Sequence, residues 1–256
     1  MNAISIVVPT LNEADNVPLL VARIATSFKY SDVPYEIIFV DDHSTDGTVE
    51  VIKRLQASYP VSLYTKQGSR GKAYSLLEGF SYADNPTICM IDADLQYPPE
   101  AILPMFKLLS KSGADVILTE RVDDVSASKL RHYLTKGFNL AFTRLLFGFK
   151  YDSQSGLKLF RRSVINRIDL DPTPWSFDLE FIVRSLEISS KVISYRIPFS
   201  KRYSGQPKVR LVKVAYELAV ASVRLRMNSS PHKIRHASRM NSDFVERTVG
   251  TSGAAL

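Results

Sequence analysis

Two aspartates stand at the end of an apolar run in residues 90–100, which read MIDADLQYPPE. Asp92 and Asp94 are two positions apart, so an extended backbone directs both carboxylates to the same side. Paired carboxylate oxygens suit Mg²⁺ or Mn²⁺, which usually also keep waters and bind phosphate oxygens. A turn in which Asp92 caps the loop is the alternative that these residues leave open.

Polar clusters also follow three other apolar runs. The runs cover residues 4–9, 35–40 and 115–118, and the polar clusters that follow them cover residues 10–13, 41–46 and 119–121. In an open α/β sheet, ligands bind beyond the carboxyl ends of the strands. We therefore expect all four clusters to converge on one crevice, and this position favours a metal site at Asp92 and Asp94 over a capped turn.

The order of the expected elements predicts the fold class. Short apolar runs alternate with segments whose apolar residues recur at helical spacing, and the connections are short. This alternation predicts an α/β protein with a mostly parallel central sheet flanked by helices. The expected strands cover residues 4–9, 35–40, 61–64, 87–91, 115–118, 156–162 and 192–197, and the expected helices cover residues 16–30, 45–57, 71–82, 99–110, 179–189 and 211–227.

Two loops combine structural residues with candidates for chemistry. In residues 41–48, DDHSTDGT, Asp46 or Ser44 can cap the next helix. The Asp41–Asp42 pair exceeds what one cap needs, so one carboxylate is a candidate acceptor for a base N–H or a ribose hydroxyl. Residues 67–72, QGSRGK, lack the spacing of a P-loop and predict instead a basic turn near a diphosphate.

The composition limits the class of protein. The chain has 256 residues, 45% of them hydrophobic and 23% charged, as in soluble globular proteins. The single cysteine, Cys89, lies in an apolar run and permits no internal disulfide, which fits a reducing compartment. The first residues lack a basic region followed by a long apolar region, so we expect no signal peptide.

The two halves of the sequence differ in charge. Residues 1–128 carry 10 Lys and Arg against 17 Asp and Glu, whereas residues 129–256 carry 23 against 9. A basic half suggests an anionic partner, either nucleic acid, phospholipid or a phosphorylated substrate, although a merely solvated surface is the alternative. Acids clustered at the strand ends argue against nucleic acid, because they repel a polyanion.

Two amphipathic segments lie in the basic half. Residues 129–149 interleave Lys and Arg with aromatic and leucine side chains, and residues 211–227 form an apolar helix that is too short and too charged to span a bilayer. Either segment suits the headgroup region of an anionic membrane, and packing on the sheet is the alternative. We expect one domain over residues 1–227, with a nucleotide-binding half to about 121 and an acceptor-facing half over 122–227, and a disordered tail over 228–256.

Several motifs of the sequence, taken together, resemble those of a known family. VVPTLNEADN, VDDHSTDGT, RGKAYSLLEGF and DADLQYPPE, in this order, resemble glycosyltransferase family 2, whose inverting enzymes have the nucleotide-sugar-binding GT-A fold. DADLQYPPE, SGLKLFRR and FSKRYSGQPK further resemble dolichyl-phosphate mannose synthases and related polyprenyl-phosphate glycosyltransferases. The sequence departs from the family at Leu11, where an aromatic residue is common, and at residues 119–121 and 207. These departures leave the preferred sugar and nucleotide open.

The resemblance implies a role for each matching residue. The metal and diphosphate would meet Asp92, Asp94 and Gln96, with Ala93 between the aspartates, and Arg121 and Arg131 would join these aspartates in catalysis. The remaining implied sites are the nucleoside site at Pro9, Leu11, Glu13 and Asp41, and the acceptor-phosphate site at Arg121, Lys129 and Arg131. Arg202 and Lys208 would close over the phosphates, and Asp42 and Lys72 would also contribute to binding of the nucleotide sugar.

The expected function follows from the resemblance. It is metal-dependent transfer of a hexose from a nucleotide sugar to a polyprenyl phosphate, with Mg²⁺ or Mn²⁺ as cofactor. Mannose from GDP-mannose is favoured and glucose from UDP-glucose is next. The alternative acceptor is a saccharide hydroxyl, which would need a carboxylate base, and Asp178 and Glu180 are the candidates. We expect no nucleic-acid partner, a peripheral position on the cytoplasmic face of an anionic membrane, and either direct membrane binding or a membrane-anchoring protein.

Overall fold

The computed structural model describes residues 3–124, 146–152, 155–204, 211–230, 232–238 and 241. Its centre is a seven-stranded sheet with the order β3-β2-β1-β4-β6-β5-β7. Only β6, among these strands, runs antiparallel to its neighbours β4 and β5. The strands are β1 (Ile4–Thr10), β2 (Tyr35–Asp41), β3 (Val61–Thr65), β4 (Thr87–Met90), β5 (Val116–Asp124), β6 (Lys158–Arg161) and β7 (Val192–Phe199).

Helices cover both faces of this sheet. A 3₁₀ turn over Pro99–Ala101 leads into α4, as proline at a helix start permits. The helices are α1 (Val17–Phe28), α2 (Thr48–Leu55), α3 (Lys72–Tyr82), α4 (Ile102–Ser112), the single turn α5 (Arg162–Ile165), α6 (Phe177–Glu187), α7 (Leu211–Met227) and α8 (residues 232–238).

Alternate residues of β1 point to two separate cores. Ile6 and Val8 join the core that includes Leu20 of α1. Val7 faces the other side and joins the core under α3, which includes Phe80. A strand that is buried on both faces reads as a continuous apolar run, which is why ISIVVP predicts β1. The two cores clamp the strands, so their carboxyl ends are held at fixed positions.

The α/β architecture and its mostly parallel sheet are confirmed, and each expected strand and helix is present. The largest difference is at β5, which was expected to end at Leu118 but continues to Asp124, so residues 119–121 belong to the strand and not to a loop after it. Within residues 228–256, the part that the structure describes differs from the expected disorder. Residues 232–238 are helical, and Ile234 and Ala237 are buried in the core that contains Phe80. These two apolar side chains lie about one helical turn apart, so both face the core although the segment is polar on average.

Candidate active site

A crevice of about 500 Å³ opens at the carboxyl ends of β1, β2 and β4. It collects side chains from the loops that follow these strands, from the start of α3, and from the segments that precede α6 and follow β7. Its lining is Pro9, Thr10, Leu11, Glu13, Asp42, Arg70, Gly71, Lys72, Ser75, Asp92, Ala93, Asp94, Gln96, Pro174, Trp175 and Arg202.

The loop after β4 supplies the two aspartates. Leu95 has a φ of 62°, and Gln96 N–H donates to Asp94 Oδ1 at 3.1 Å. A left-handed leucine costs about 1–2 kcal/mol, and such residues concentrate at functional sites. The turn that results places Asp92 and Asp94 together on the floor of the crevice. The amide nitrogen of Gln96 donates to Ser200 O at 3.3 Å, so the amide oxygen is the atom that can meet a cation.

Each aspartate is matched by a basic side chain. Lys72 Nζ lies 2.5 Å from Asp92 Oδ1, and Arg202 Nη2 lies 2.9 Å from Asp94 Oδ2. Burial acts to lower the pKa of Lys72, but the charges of Asp92 and Asp178 outweigh burial and raise it. Burial, and then the charge of Asp92, raises the pKa of Asp94 to about 6 although Arg202 acts in the opposite direction.

The segment after β7, residues 200–204, closes one side of the crevice. Its backbone is fixed to the aspartate loop, because Ser200 N–H donates to Gln96 O at 3.0 Å and Tyr203 N–H donates to Asp94 O at 3.2 Å. Arg202 also reaches across to Glu13, with Nη1 at 3.3 Å from Oε1. The segment that carries Arg202 is therefore tied to the loops after β1 and β4.

The two aspartates at the end of β2 have different positions. Asp41 is buried beneath the crevice, where Thr10 Oγ1 donates to it at 3.1 Å and Ser44 N–H donates at 2.8 Å. Asp42 lines the crevice and pairs through Oδ2 with the buried Lys66 at 2.7 Å. Its Oδ1 is buried and has no hydrogen-bond partner within the described part of the chain.

Arg121 does not line the crevice. It forms a two-pronged ion pair with Asp152, with Nε to Oδ2 at 2.7 Å and Nη2 to Oδ1 at 3.1 Å, and its guanidinium lies over the ring of Phe199 at 5.2 Å. Bidentate pairs of this kind are among the stronger charged interactions. An anionic ligand at Arg121 must therefore compete with the carboxylate of Asp152.

A buried ion pair stands behind Lys72. Lys158 is fully buried and donates to Asp178, which lies in the first turn of α6 and keeps part of its side chain exposed. Burial lowers the pKa of Lys158, and the charge of Asp178 acts against this. The charges Asp92, Lys72, Asp178 and Lys158 thus alternate in sign from the crevice into the interior, which links the aspartate loop to α6.

The donor set fits a divalent cation that also binds phosphate. Within the ranges given above, no three His, Cys, Asp or Glu side chains gather as an all-protein metal site. Mg²⁺ and Mn²⁺ need no such cage, because one or two carboxylates suffice when waters and substrate phosphates complete the shell. Asp92, Asp94 and the Gln96 amide oxygen are the residues that would hold the cation. Gly156 leaves room for them, since a β-carbon there would overlap the Asp92 carboxylate.

Comparison with known proteins assigns the chain to a family. A family model described as Glycosyl transferase family 2 matches residues 5–169. The chain belongs to glycosyl transferase family 2. The matched region contains the strands from β1 to β6 except Ile4, the first residue of β1, and it ends before α6 and the segment that carries Arg202. The resemblance seen in the sequence motifs is thereby confirmed.

Curated relatives of this family 2 chain act on lipid phosphates according to their names. The chain is 28% identical over 215 residues to the dolichol-phosphate mannosyltransferase of Pyrococcus furiosus, covering 81% of the chain and 59% of the relative. It is 26% identical over 224 residues to the undecaprenyl-phosphate 4-deoxy-4-formamido-L-arabinose transferase of Proteus mirabilis, covering 85% and 67%. The chain therefore spans roughly three fifths to two thirds of the length of these relatives.

Solved structures of similar shape confirm the GT-A fold. The mannosyl-3-phosphoglycerate synthase of Rubrobacter xylanophilus superposes with a TM-score of 0.70 at 19% identity, covering 88% of this chain and 75% of that one. A glucosyl-3-phosphoglycerate synthase of Mycobacterium tuberculosis, in a complex with Mn²⁺, UDP-glucose and phosphoglyceric acid, superposes with a TM-score of 0.68 at 17% identity, covering 89% and 80%. At these identities the likeness concerns the fold.

The structure brings most of the expected site residues of the family 2 chain together. Pro9, Leu11, Glu13, Asp42, Lys72, Asp92, Ala93, Asp94, Gln96 and Arg202 all line the crevice. Asp41 differs from the prediction, because it is buried and supports the loop after β2 from beneath, and it does not line the crevice. Arg121 is turned toward Asp152, and none of residues 119–121 lines the crevice. The polar cluster at these residues therefore does not join the other three. Lys129, Arg131 and Lys208 lie outside the described residues.

Six lining residues were not among the candidates from the sequence. Three of them, Thr10, Arg70 and Gly71, lie in loops that the sequence singled out, whereas Ser75, Pro174 and Trp175 lie outside those loops. Ser75 lies one turn into α3, on the face that its apolar neighbours also use. Pro174 and Trp175 come just before α6, where a loop after a proline-rich stretch gives no periodic signal. The available signal was the tryptophan itself, because a lone large aromatic next to a helix start is a candidate for contact with a ligand.

Proposed function

We propose that this chain is a metal-dependent, inverting glycosyltransferase that moves a hexose from a nucleotide sugar to a polyprenyl phosphate. One observation carries the proposal, namely that Asp92 and Asp94 lie at the carboxyl end of β4, flanked by Lys72 and Arg202, inside the crevice. Carboxylates for a cation beside basic groups for phosphate are what a nucleoside diphosphate requires.

The nucleoside is proposed to lie toward the loops after β1 and β2. The buried Oδ1 of Asp42 has no hydrogen-bond donor among the described residues. A buried acceptor that lacks a donor costs about 1–3 kcal/mol. A base N–H or a ribose hydroxyl would satisfy it, while Oδ2 stays bound to Lys66 and to Gly71 N–H at 2.8 Å. Leu11 offers an apolar side chain to the base on the same side of the crevice.

Release of the nucleoside diphosphate builds negative charge as the glycosidic bond breaks. A bound Mg²⁺ or Mn²⁺ supplies Lewis-acid stabilisation of that charge. Lys72 and Arg202 bind and orient the diphosphate oxygens, since each already stands within 3 Å of an aspartate in the crevice. Arg202 sits on the segment that closes the crevice, so it also excludes water from the leaving group. Lys208, which lies outside the described residues, is proposed to assist in binding the diphosphate.

A phosphate acceptor needs little help in becoming a nucleophile. The second pKa of a phosphate monoester is about 6, so the acceptor is already largely a dianion at neutral pH. A saccharide hydroxyl would instead require a carboxylate base. Asp178 is held by Lys158, and Glu180 accepts a hydrogen bond from Asp171 N–H at 3.0 Å and lines a different, smaller cavity. These contacts favour the phosphate acceptor over the hydroxyl acceptor.

The acceptor phosphate is proposed to meet Arg121, Lys129 and Arg131. Arg121 is the member of this set in the described part of the chain, and it would exchange the carboxylate of Asp152 for the phosphate. The guanidinium suits both partners, because it binds carboxylate and phosphate with the same two-pronged geometry. For the donor, GDP-mannose is favoured because a curated relative is a dolichol-phosphate mannosyltransferase, and UDP-glucose comes next.

A polyprenyl phosphate also requires contact with a membrane. The structure contains, in its described ranges, no helix that is long and apolar enough to cross a bilayer. Helix α7 exposes Val220, Val223 and Met227, which recur at helical spacing on one side. Apolar side chains beside arginines suit the headgroup region of an anionic membrane, and we propose peripheral binding there, directly or with an anchoring protein.

Sedimentation with anionic vesicles at low salt tests direct membrane binding. Protein that stays in the supernatant would argue against it.

Nucleoside diphosphate release tests the proposal as a whole. Purified protein is incubated with GDP-mannose or UDP-glucose, Mn²⁺, and either a short prenyl phosphate or free saccharides. We expect release that depends on the prenyl phosphate and stops when Mn²⁺ is chelated. Release that depends on a saccharide instead would reject the lipid-phosphate acceptor, and no acceptor-dependent release with any donor would reject the proposed function.

A further inference from the structure

Trp175 presents an aromatic surface to the crevice. It is the one tryptophan of the sequence, and 37% of its area is exposed. Among the large apolar side chains that the described residues leave exposed, only Leu11 and Trp175 line this crevice. A scattered apolar side chain on a protein surface needs no explanation. A tryptophan in the wall of a cavity that already contains charged groups differs, because a bound ligand would remove its surface from water.

The position of Trp175 is fixed on both sides. Pro174 packs against Gly71, where an added β-carbon would come within 3.1 Å of the proline ring. On the other side, Thr173 N–H donates to Ser176 Oγ at 2.8 Å and Ser176 N–H donates to Thr173 O at 3.2 Å. Phe177 follows and is buried, in contact with the ring of Phe181. The backbone on both sides of Trp175 is therefore held in place, so a ligand need not order this turn in order to bind.

The start of α6 lies on the metal side of the crevice. Asp178, in the first turn of α6, interacts with Lys72, and Lys72 contacts Asp92 at 2.5 Å. In a nucleotide sugar the hexose follows the diphosphate, so it lies beyond the metal as seen from the nucleoside. The C–H faces of a hexose ring are apolar and pack on aromatic surfaces, whereas the diphosphate does not. The nucleoside end has its own apolar side chain in Leu11.

We infer that Trp175 is a platform for the donor hexose, and thus a residue that contributes to sugar binding and selection; this rests on the proposed function. The role belongs to binding and not to bond cleavage, because the indole carries no group that can transfer a proton here. It also predicts that loss of the ring weakens binding of the nucleotide sugar and leaves binding of the free nucleotide unchanged.

The single tryptophan makes the test direct, since all tryptophan fluorescence comes from this residue. With Mn²⁺ present, GDP and UDP are compared with GDP-mannose and UDP-glucose, each at saturation as judged by calorimetry. We expect the sugar-bearing ligand that binds to change the emission of Trp175 more than its nucleoside diphosphate does. An equal change with both ligands, or no change with either, would overturn the inference while leaving the proposed function intact. Binding of neither sugar nucleotide would overturn both.

Two variants supply an independent readout. For Trp175→Ala we expect Kd for the nucleotide sugar to rise about tenfold, which corresponds to about 1.4 kcal/mol, because the hexose would lose its contact with the indole ring. Kd for the nucleoside diphosphate should change less than about twofold, a difference below 0.5 kcal/mol. Trp175→Phe keeps a ring and should restore most of the affinity, and it remains informative if the alanine variant folds poorly. Tyr30→Ala removes an exposed aromatic elsewhere and is the control. An equal loss of affinity for the nucleotide sugar and for the nucleoside diphosphate would instead indicate that Trp175 stacks on the base, and it would reject the role of Trp175 in hexose binding.

Discussion

Arg202 binds Asp94 and Glu13 at the same time, with its guanidinium 2.9 Å from one carboxylate and 3.3 Å from the other. The contact joins the segment after β7 to the loops after β4 and β1. Asp94 is a proposed metal ligand, so a cation that binds there must share this carboxylate with Arg202 or release the guanidinium. A released guanidinium would be placed to bind the diphosphate that arrives with the metal.

Replacement of Arg202 should weaken nucleotide binding. For Arg202→Met we expect Kd for the nucleoside diphosphate in the presence of Mn²⁺ to rise at least about tenfold, because charge-assisted hydrogen bonds are worth about 1.5–3 kcal/mol. Calorimetry with GDP and UDP measures the change. Arg196→Met is the matched control, since Arg196 is 68% exposed on β7 and pairs only weakly with Glu120. Unchanged affinity in Arg202→Met would remove this residue from the phosphate site.

Replacement of Lys72 should strengthen metal binding and weaken nucleotide binding. Its ammonium neutralises Asp92, so Lys72→Met should strengthen the binding of Mn²⁺ alone by about tenfold, a small fraction of the Coulomb energy of adjacent charges. The same variant should weaken nucleoside diphosphate binding when Mn²⁺ is present. Free Mn²⁺ is followed by electron paramagnetic resonance, with Lys53→Met on the exposed face of α2 as the control. Weaker binding of Mn²⁺ alone in Lys72→Met would show that Lys72 does not compete with the metal.

Gly156 tests the space around Asp92. A β-carbon at this position would overlap the Asp92 carboxylate and come within 2.9 Å of the Tyr97 ring. Overpacking of this kind costs about 1–3 kcal/mol, and we expect Gly156→Ala to lose that much stability in urea unfolding and to bind Mn²⁺ more weakly. Gly68→Ala is the control, because its nearest neighbour would be a flexible glutamate oxygen at 3.9 Å. Full stability and full Mn²⁺ affinity in Gly156→Ala would contradict the packing described here.

The Lys158–Asp178 pair should respond unequally to loss of each partner. Lys158 is fully buried, whereas 20% of the Asp178 side chain is exposed. Asp178→Asn leaves an ammonium buried without its counter-ion, and we expect a loss of about 3 kcal/mol in the free energy of unfolding. Lys158→Met leaves a carboxylate that still reaches water, so its loss should be smaller. Urea denaturation of both variants decides the order, and a larger loss in Lys158→Met would refute this reading of the pair.

The elements of the fold were predictable because their signals are local. β1 is a continuous apolar run, and helices such as α1 show apolar side chains at helical spacing, so both follow from short windows of sequence. The sheet order was not predictable in this way. β6 enters between β4 and β5 and runs antiparallel to both, and such pairing depends on contacts between distant segments. Local patterns carry no information about that choice.

The candidate site was predictable where it depends on strand ends. The clusters that hold Glu13, Asp42 and Asp94 converge because parallel strands end at one edge of the sheet. The sequence did not reveal that Asp152 engages Arg121, since this pair joins β5 to a loop about thirty residues further along the chain. Nor did it distinguish Asp41 from Asp42, because two adjacent carboxylates look alike until the backbone directs one of them into the crevice.

The mass of the product tests the central claim most directly. The protein is incubated with Mn²⁺, a short prenyl phosphate and GDP-mannose or UDP-glucose, and the products are identified by mass spectrometry, with an Asp92→Asn, Asp94→Asn double variant alongside. We expect the prenyl phosphate to gain the mass of one hexose residue with the unmodified chain and to remain unchanged with the double variant. If the only products are free hexose from hydrolysis or a lengthened saccharide, transfer to a lipid phosphate is contradicted. Equal amounts of product from both proteins would contradict catalysis at this crevice.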